Sequence, residues 1–140
     1  MNVEQSFTRD DFGKLTPVLV AAAIPPLDRV WSDADWRSIS QGHKSADMDD
    51  KWNAFVEGHK LYMHRSWTGR GIYEAWFAQV PGGWRITAAV VEGDRTSYRR
   101  HDDAYESALL EVLIDGTLLG VYHGPSHERW ARIRAELGMT

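Results

Sequence analysis

The sequence predicts an α+β fold in one domain, residues 1–140, in which a four-stranded antiparallel meander is flanked by N-terminal and C-terminal helices. Three observations favour this fold. The length of 140 residues is typical of one domain. Residues 51–92 are rich in aromatic and β-branched side chains and are divided by glycine-containing breaks, as hairpin-connected strands are. The segments on either side, at about 9–42 and about 102–138, carry helical periodicity and capping residues.

The first part of the chain offers two helix starts. Thr8 and Asp11 have the spacing of a capping box, with Asp in place of the usual Glu, and predict a short helix over residues 9–15. The dipeptide Thr16-Pro17 could open a second helix, because proline is tolerated at the first helical position. The apolar segment that follows, residues 18–24, could equally be a strand, since periodicity cannot decide over so few residues.

Three further helices have clearer ends. Ser32 is a typical N-cap for a helix that stops at the next glycine. Asp103 and Glu106 have capping-box spacing at the start of a helix over residues 102–119. This helix has the longest apolar stripe in the chain, and we predict that it is the main core helix on the sheet. Pro125 opens a final helix, whose predicted inward residues are Trp130, Ile133 and Leu137.

The register of the sheet is predicted from the turns. Breaks at Gly58-His59, Gly69-Arg70 and Pro81-Gly82 divide residues 51–92 into four strands. With each break at the centre of a hairpin, the predicted cross-strand pairs are Trp52 with Arg65, Asn53 with His64, Trp67 with Ile72, Arg65 with Glu74, Met63 with Trp76, and Phe77 with Ile86.

The alternation of side chains along these strands defines two faces with two groups of candidate ligand-binding residues. The first group is Arg65, Glu74, Trp52, Trp67 and Trp76, and the second is Asn53, His64, Ser66 and Tyr73. In the first group, an arginine beside tryptophans could clamp an anion while a ring stacks on an indole. A buried Arg65–Glu74 ion pair with a structural role explains the same residues.

Catalytic and metal sites are less favoured. His64 and Ser66 could act as base and nucleophile, but their Cα atoms would lie about 7 Å apart on one strand face. We expect instead a buried His64 that is hydrogen-bonded to Asn53 or Tyr73. The acidic run at residues 47–50 could bind a divalent cation or form a solvated connector, and its spacing does not match a calcium loop. The chain has no cysteine and its histidines are scattered, so we expect no strong metal site and no cofactor.

Charge limits the partners that we expect. The net charge is −4 and the pI about 5.8, so neither nucleic acid nor an anionic membrane is an expected partner. The N-terminal sequence lacks the features of a signal peptide, and the most apolar run is too short to span a bilayer. We therefore expect a cytoplasmic protein.

Two functions are open at this stage, and the sequence does not decide whether the protein is an enzyme. The first is a small soluble interaction module, for example an antitoxin-like one, that presents an aromatic-rich sheet surface to a protein partner or to a second copy of itself. The second is a protein, which could be a hydrolase, that binds a nucleotide-like or other small anionic ligand around Arg65 and the neighbouring tryptophans. A flat apolar patch would favour the first, and a concave pocket with convergent polar groups the second.

One stretch of the chain resembles a group of small bacterial proteins of uncharacterised function. The resemblance is carried by D-M-D-D-K-W at residues 47–52 and by H-R-S-W-T-G at residues 64–69, within a stretch from Asp47 to Phe77. It implies membership of a bacterial family but brings no established activity with it.

Overall fold

The computed structural model of the protein describes residues 6–139, which contain a sheet of five antiparallel strands. The strands are β1 (Ala21–Ile24), β2 (Trp52–Glu57), β3 (Lys60–Arg65), β4 (Gly71–Val80) and β5 (Gly83–Glu92). They lie in the order β1-β5-β4-β3-β2, so that β2 to β5 form the predicted meander. The α+β class with an antiparallel sheet is confirmed, whereas the predicted number of four strands is wrong.

The additional strand comes from the apolar segment that periodicity left undecided. Strand β1 pairs with β5, from Ala21 opposite Glu92 to Ile24 opposite Ala89. A helix of one turn would leave most of its backbone N–H and C=O groups without hydrogen bonds. The free edge of β5 supplies hydrogen-bond partners for these groups. The helix predicted over residues 9–15 is also wrong in length, because it is a single turn at Arg9–Asp11, although the predicted capping box is present.

The helices are α1 (Asp33–Gln41), α2 (Asp103–Leu113) and α3 (Pro125–Glu136). The Ser32 hydroxyl accepts the backbone N–H of Asp35 at 3.0 Å, which confirms the predicted N-cap of α1. Helix α2 is capped by Asp102, one residue before the predicted Asp103, and it continues into a π-helical turn at Ile114–Leu118.

Helices α1 and α2 cover one face of the sheet, which we call the inner face. Ile39 of α1 and Leu110 and Leu113 of α2 belong to one hydrophobic core with the inward side chains of the strands. Residues 102–119 therefore supply a core helix, as predicted. Helix α3 packs on α2, and its C-terminal Leu137 is 44% exposed, so the predicted inward position of this leucine is wrong.

The N-terminal segment, residues 6–20, covers part of the opposite face, which we call the outer face. The ring of Phe12 lies 5.7 Å from that of Phe55, and Arg9 pairs with Glu57 at 2.8 Å. The outer face of β4 and β5 is more open, and Trp76 there is 36% exposed. Within residues 6–139, no helix has both the length and the apolar composition required to cross a bilayer.

Candidate ligand-binding cleft

The hairpin between β3 and β4 determines where the candidate site residues lie. Its loop is Ser66–Gly69, because the backbone N–H of Arg65 donates to the carbonyl of Arg70 at 2.9 Å. The partner of Met63 is Tyr73, an odd number of positions away from the predicted Trp76, and an irregularity follows at His64. A shift of the register by an odd number of residues turns every side chain of the strand to the opposite face of the sheet.

The predicted ion pair between Arg65 and Glu74 is therefore wrong, and the pairs Trp67–Ile72 and Met63–Trp76 are wrong with it. Glu74 and Trp76 alternate with Tyr73 and point to the outer face. Glu74 there pairs with Lys60 at 2.9 Å, and the Lys60 ammonium lies 4.4 Å from the centre of the Trp76 ring. Neither Glu74 nor Trp76 shares a site with Arg65.

A tertiary contact explains why the turn rule fails in this hairpin. Gly69 has a φ of +74° and packs so closely on the N-terminal segment that a Cβ would come within 1.9 Å of the Lys14 carbonyl oxygen. The N–H of Gly71 donates to the Thr16 carbonyl at 2.7 Å, and that of Thr16 to the Gly69 carbonyl at 2.9 Å. These bonds fix the loop from outside the hairpin. The predicted pairs Trp52–Arg65, Asn53–His64 and Phe77–Ile86 are confirmed.

A cleft of about 330 Å³ opens where β3 enters this loop. Its lining combines three basic side chains, two hydroxyls and two large apolar side chains: Lys51, Arg65, Arg70, Thr68, Ser97, Met48 and Trp67. The cleft thus brings together the segments around residues 48–51, 65–70 and 97.

Arg65 is held at the cleft by aromatic rings. Its guanidinium lies 4.5 Å from the centre of the Trp52 ring and 6.0 Å from that of Tyr98. Stacking of this kind fixes the plane of the guanidinium but leaves its N–H edges free to donate. The predicted neighbourhood of Arg65 and Trp52 is confirmed, and Trp67 lines the same cleft.

A buried carboxylate supports the ring of Tyr98 from the side of α2. The Tyr98 hydroxyl donates to Glu106 at 2.8 Å, and the Tyr73 hydroxyl donates to the same oxygen at 2.5 Å. Burial raises the pKa of both tyrosines, so both remain protonated donors at neutral pH. Tyr73, a candidate ligand-binding residue, therefore supports the cleft from within the core.

The basic side chains of the cleft form no direct ion pair in the described part of the chain, although Asp94 lies near enough to Arg70 for the two charges to interact. Lys51, Arg65 and Arg70 form no ion pair with a carboxylate of residues 6–139. The lining contains no acidic side chain, and Asp94 beyond it accepts hydrogen bonds from Ser97 and its neighbour Thr96. The cleft is therefore a positively charged site in a chain whose net charge is −4.

The apolar side of the cleft is fixed by hydrogen bonds. The hydroxyl of Ser66 donates to the Asp50 carbonyl and its N–H to the Lys51 carbonyl, both at 2.9 Å. The indole N–H of Trp67 donates to the Met48 carbonyl at 3.2 Å, while its side chain stays 70% exposed. Ser66 thus anchors the loop and is not paired with His64.

His64 and Asn53 lie outside the cleft. His64 is buried, and its Nδ1 donates to the Gly69 carbonyl at 2.9 Å, so the predicted hydrogen bond to Asn53 or Tyr73 is wrong. Burial lowers the pKa of this imidazole and keeps it neutral at pH 7. The Asn53 side chain instead accepts the N–H of Ser45 at 2.7 Å. Both residues hold the structure that surrounds the cleft.

The acidic run forms a turn. The Asp47 carboxylate accepts the N–H of Asp49 at 2.9 Å and that of Asp50 at 3.1 Å, and Asp50 pairs with His43 at 2.6 Å. Among residues 6–139, no group of three or more His, Cys, Asp or Glu side chains is arranged to hold a metal ion.

Sequence reasoning missed several residues of the cleft, because they are brought together from separate segments. These residues are Met48, Lys51, Thr68, Arg70 and Ser97, with Tyr98 behind them. The available signal was that Lys51 directly precedes Trp52 and that Arg70 follows Trp67 by three residues in the sequence.

Comparison of the chain with protein-family models, with curated proteins and with solved structures finds no match. The resemblance of residues 47–77 to small bacterial proteins therefore stays a prediction, and the functional argument rests on the geometry of the cleft.

Proposed function

We propose that the protein binds a small anionic ligand in the cleft at the end of β3. The observation that carries the proposal is the convergence of Lys51, Arg65 and Arg70 on a concave site without a carboxylate partner among residues 6–139. Cations in a cleft with low-dielectric walls concentrate positive potential there. A concave site with a few convergent polar groups is the usual form of a small-molecule site.

The chemistry of the lining fits an oxyanion. The planar guanidinium of Arg65 can donate two parallel hydrogen bonds to one carboxylate or phosphate. Its plane is set in advance by Trp52 and Tyr98, so little side-chain freedom is lost when the ligand binds. The hydroxyl of Thr68 accepts the N–H of Arg70 at 3.2 Å and can donate its own hydrogen to the ligand, whereas that of Ser97 already donates to Asp94.

Isothermal titration calorimetry with inorganic phosphate and with citrate at low ionic strength tests this proposal. We expect binding that weakens as salt is added, and an affinity loss of about tenfold or more in Arg65→Met, because charge-assisted hydrogen bonds are lost. The matched control is Arg85→Met, at the other end of the sheet, which should bind like the parent. If the parent protein binds neither phosphate nor citrate, the proposal is contradicted.

A second candidate is an interaction module that uses the outer face of β4 and β5. It is favoured by the exposed Trp76, which lies opposite Ala88 in the β4–β5 pair, and by the exposed alanines 21, 23 and 88 on the same face. If a second copy is the partner, analytical ultracentrifugation should give a dimer that Trp76→Glu dissociates. A protein that stays monomeric at every concentration excludes the second copy as the partner. A cytoplasmic location and a bacterial origin stay predictions.

A further inference from the structure

We propose that the ligand is a molecule that joins a planar ring to a phosphate, such as a nucleoside monophosphate. This inference rests on the proposed function of the cleft as an anion site. It adds a second element of recognition, which is the indole ring of Trp67.

The indole of Trp67 is presented in a way that favours stacking. Its only polar atom, Nε1, already donates to the Met48 carbonyl, so the group has no further hydrogen bond to offer a ligand. What remains is an apolar ring that is 70% exposed, next to a Met48 side chain that is 72% exposed. The bonds of Ser66 to residues 50 and 51 hold the loop in place before any ligand arrives. Such a fixed, open ring is a platform for a flat ligand group.

The basic side of the cleft favours a phosphate over a single carboxylate. A phosphate monoester carries close to two negative charges at neutral pH and has three acceptor oxygens. Three cations and two hydroxyls surround the cleft, and no acidic side chain lines it. A single carboxylate would leave part of this positive charge without a partner.

The size of the cleft limits the ligand. Its volume of about 330 Å³ lies near the lower end of small-molecule sites. One ring system with one phosphate fits this volume, whereas a dinucleotide needs a longer site. Trp67 and the three cations line the same cleft, so one such molecule can touch both.

Calorimetry on the full chain with AMP, UMP, inorganic phosphate and adenosine tests the inference. We expect AMP to bind at least about tenfold more tightly than either inorganic phosphate or adenosine, because stacking and charge act together. Trp67→Ala should lose this gain but keep its affinity for phosphate, and Trp67→Phe should retain most of it. Trp76→Ala, on the outer face, is the matched tryptophan control and should bind AMP like the parent. Arg65→Met should weaken both AMP and phosphate.

The outcomes separate the two proposals. Equal affinities for AMP and phosphate, or an unchanged gain in a Trp67→Ala protein that melts like the parent, overturn the ring-and-phosphate inference and leave the anion site standing. Absence of binding to AMP, UMP, phosphate and citrate overturns both, whereas binding of citrate alone overturns only the ring-and-phosphate inference. Tighter binding of short oligo(dT) than of either mononucleotide also overturns the inference, because it assigns the cleft to single-stranded nucleic acid.

Discussion

Two groups of arginines in this protein have opposite surroundings. Arg65 and Arg70 line the cleft and have no carboxylate partner among residues 6–139. Arg29, in the segment before α1, lies against α2, where its Nη1 is 3.1 Å from a Glu111 oxygen and 2.5 Å from an Asp115 oxygen. Arg129 of α3 also pairs with Glu111.

The paired group is a network with many bonds to buried carboxylates. Asp115 lies in the π-helical turn and also accepts the indole N–H of Trp31 at 3.3 Å and the hydroxyl of Ser126 at 2.6 Å. Its side chain and that of Glu111 are almost fully buried. The network therefore connects the end of α2 to α3 and to the segment before α1.

The difference shows how a structural arginine is distinguished from a binding arginine in this fold. Where the chain supplies the carboxylate, the N–H groups of the guanidinium are occupied and their loss leaves a buried charge behind. Where it supplies only aromatic rings, as at Arg65, the guanidinium is oriented but its N–H edges remain available. Substitutions should therefore affect stability in one region and ligand affinity in the other.

The largest effect should come from Asp115→Ala. The substitution leaves Arg29, Trp31 and Ser126 without their common acceptor, and we expect a loss of about 3–5 kcal/mol in the free energy of unfolding. Urea denaturation measures this loss. Asp28→Ala, which removes a fully exposed carboxylate, is the control and should leave stability unchanged. A loss below about 1 kcal/mol in Asp115→Ala would contradict the structural role.

Arg29→Met should have a smaller effect. Its side chain is one third exposed, so solvent screens part of the interaction, and we expect a loss of about 1–3 kcal/mol in the same assay. Anion affinity should not change, because Arg29 does not line the cleft. A loss of phosphate binding with intact stability would show that the two regions have been assigned the wrong way round.

Acid should weaken the paired group. Burial alone would raise the pKa of Asp115, but hydrogen bonds from Arg29, Ser126 and Trp31 outweigh it and lower the pKa. A carboxylate whose pKa is lower in the folded than in the unfolded state contributes stability above the unfolded pKa of about 4. That contribution is lost as the pH falls through the folded pKa. Urea denaturation from pH 3 to pH 7 should therefore show a steeper loss below about pH 4 in the parent than in Asp115→Asn. Parallel profiles would contradict this.

The smallest effect on stability should come from Arg65→Met, although its effect on phosphate affinity should be large. The substitution leaves no carboxylate of residues 6–139 without a partner, so we expect a change within about 0.5 kcal/mol in the free energy of unfolding. Loss of the native fold in this variant would move Arg65 into the structural group. The comparison with Arg29→Met is direct, because the same side-chain change is made in both regions.

Part of the cleft could be predicted from the sequence and part could not. Arg65, Trp52 and Trp67 are candidates that do meet there, because the β2–β3 turn sets the register of Trp52 and Arg65. The predicted site also includes Glu74 and Trp76, which lie on the outer face. The reason is that the N-terminal segment fixes the β3–β4 loop, and a turn rule does not include contacts from another segment.

The sequence by itself determined the elements whose ends depend on local bonds. Ser32 caps α1, Pro125 opens α3, and the turns at residues 58–59 and 81–82 set two hairpin registers, because each involves backbone groups a few residues apart. Only the tertiary structure decided that residues 21–24 form a strand, that Arg65 faces away from Glu74, and which arginines have a carboxylate partner. These outcomes depend on distances between groups far apart in the chain, and such distances exist only once the sheet, α2 and the N-terminal segment have packed together.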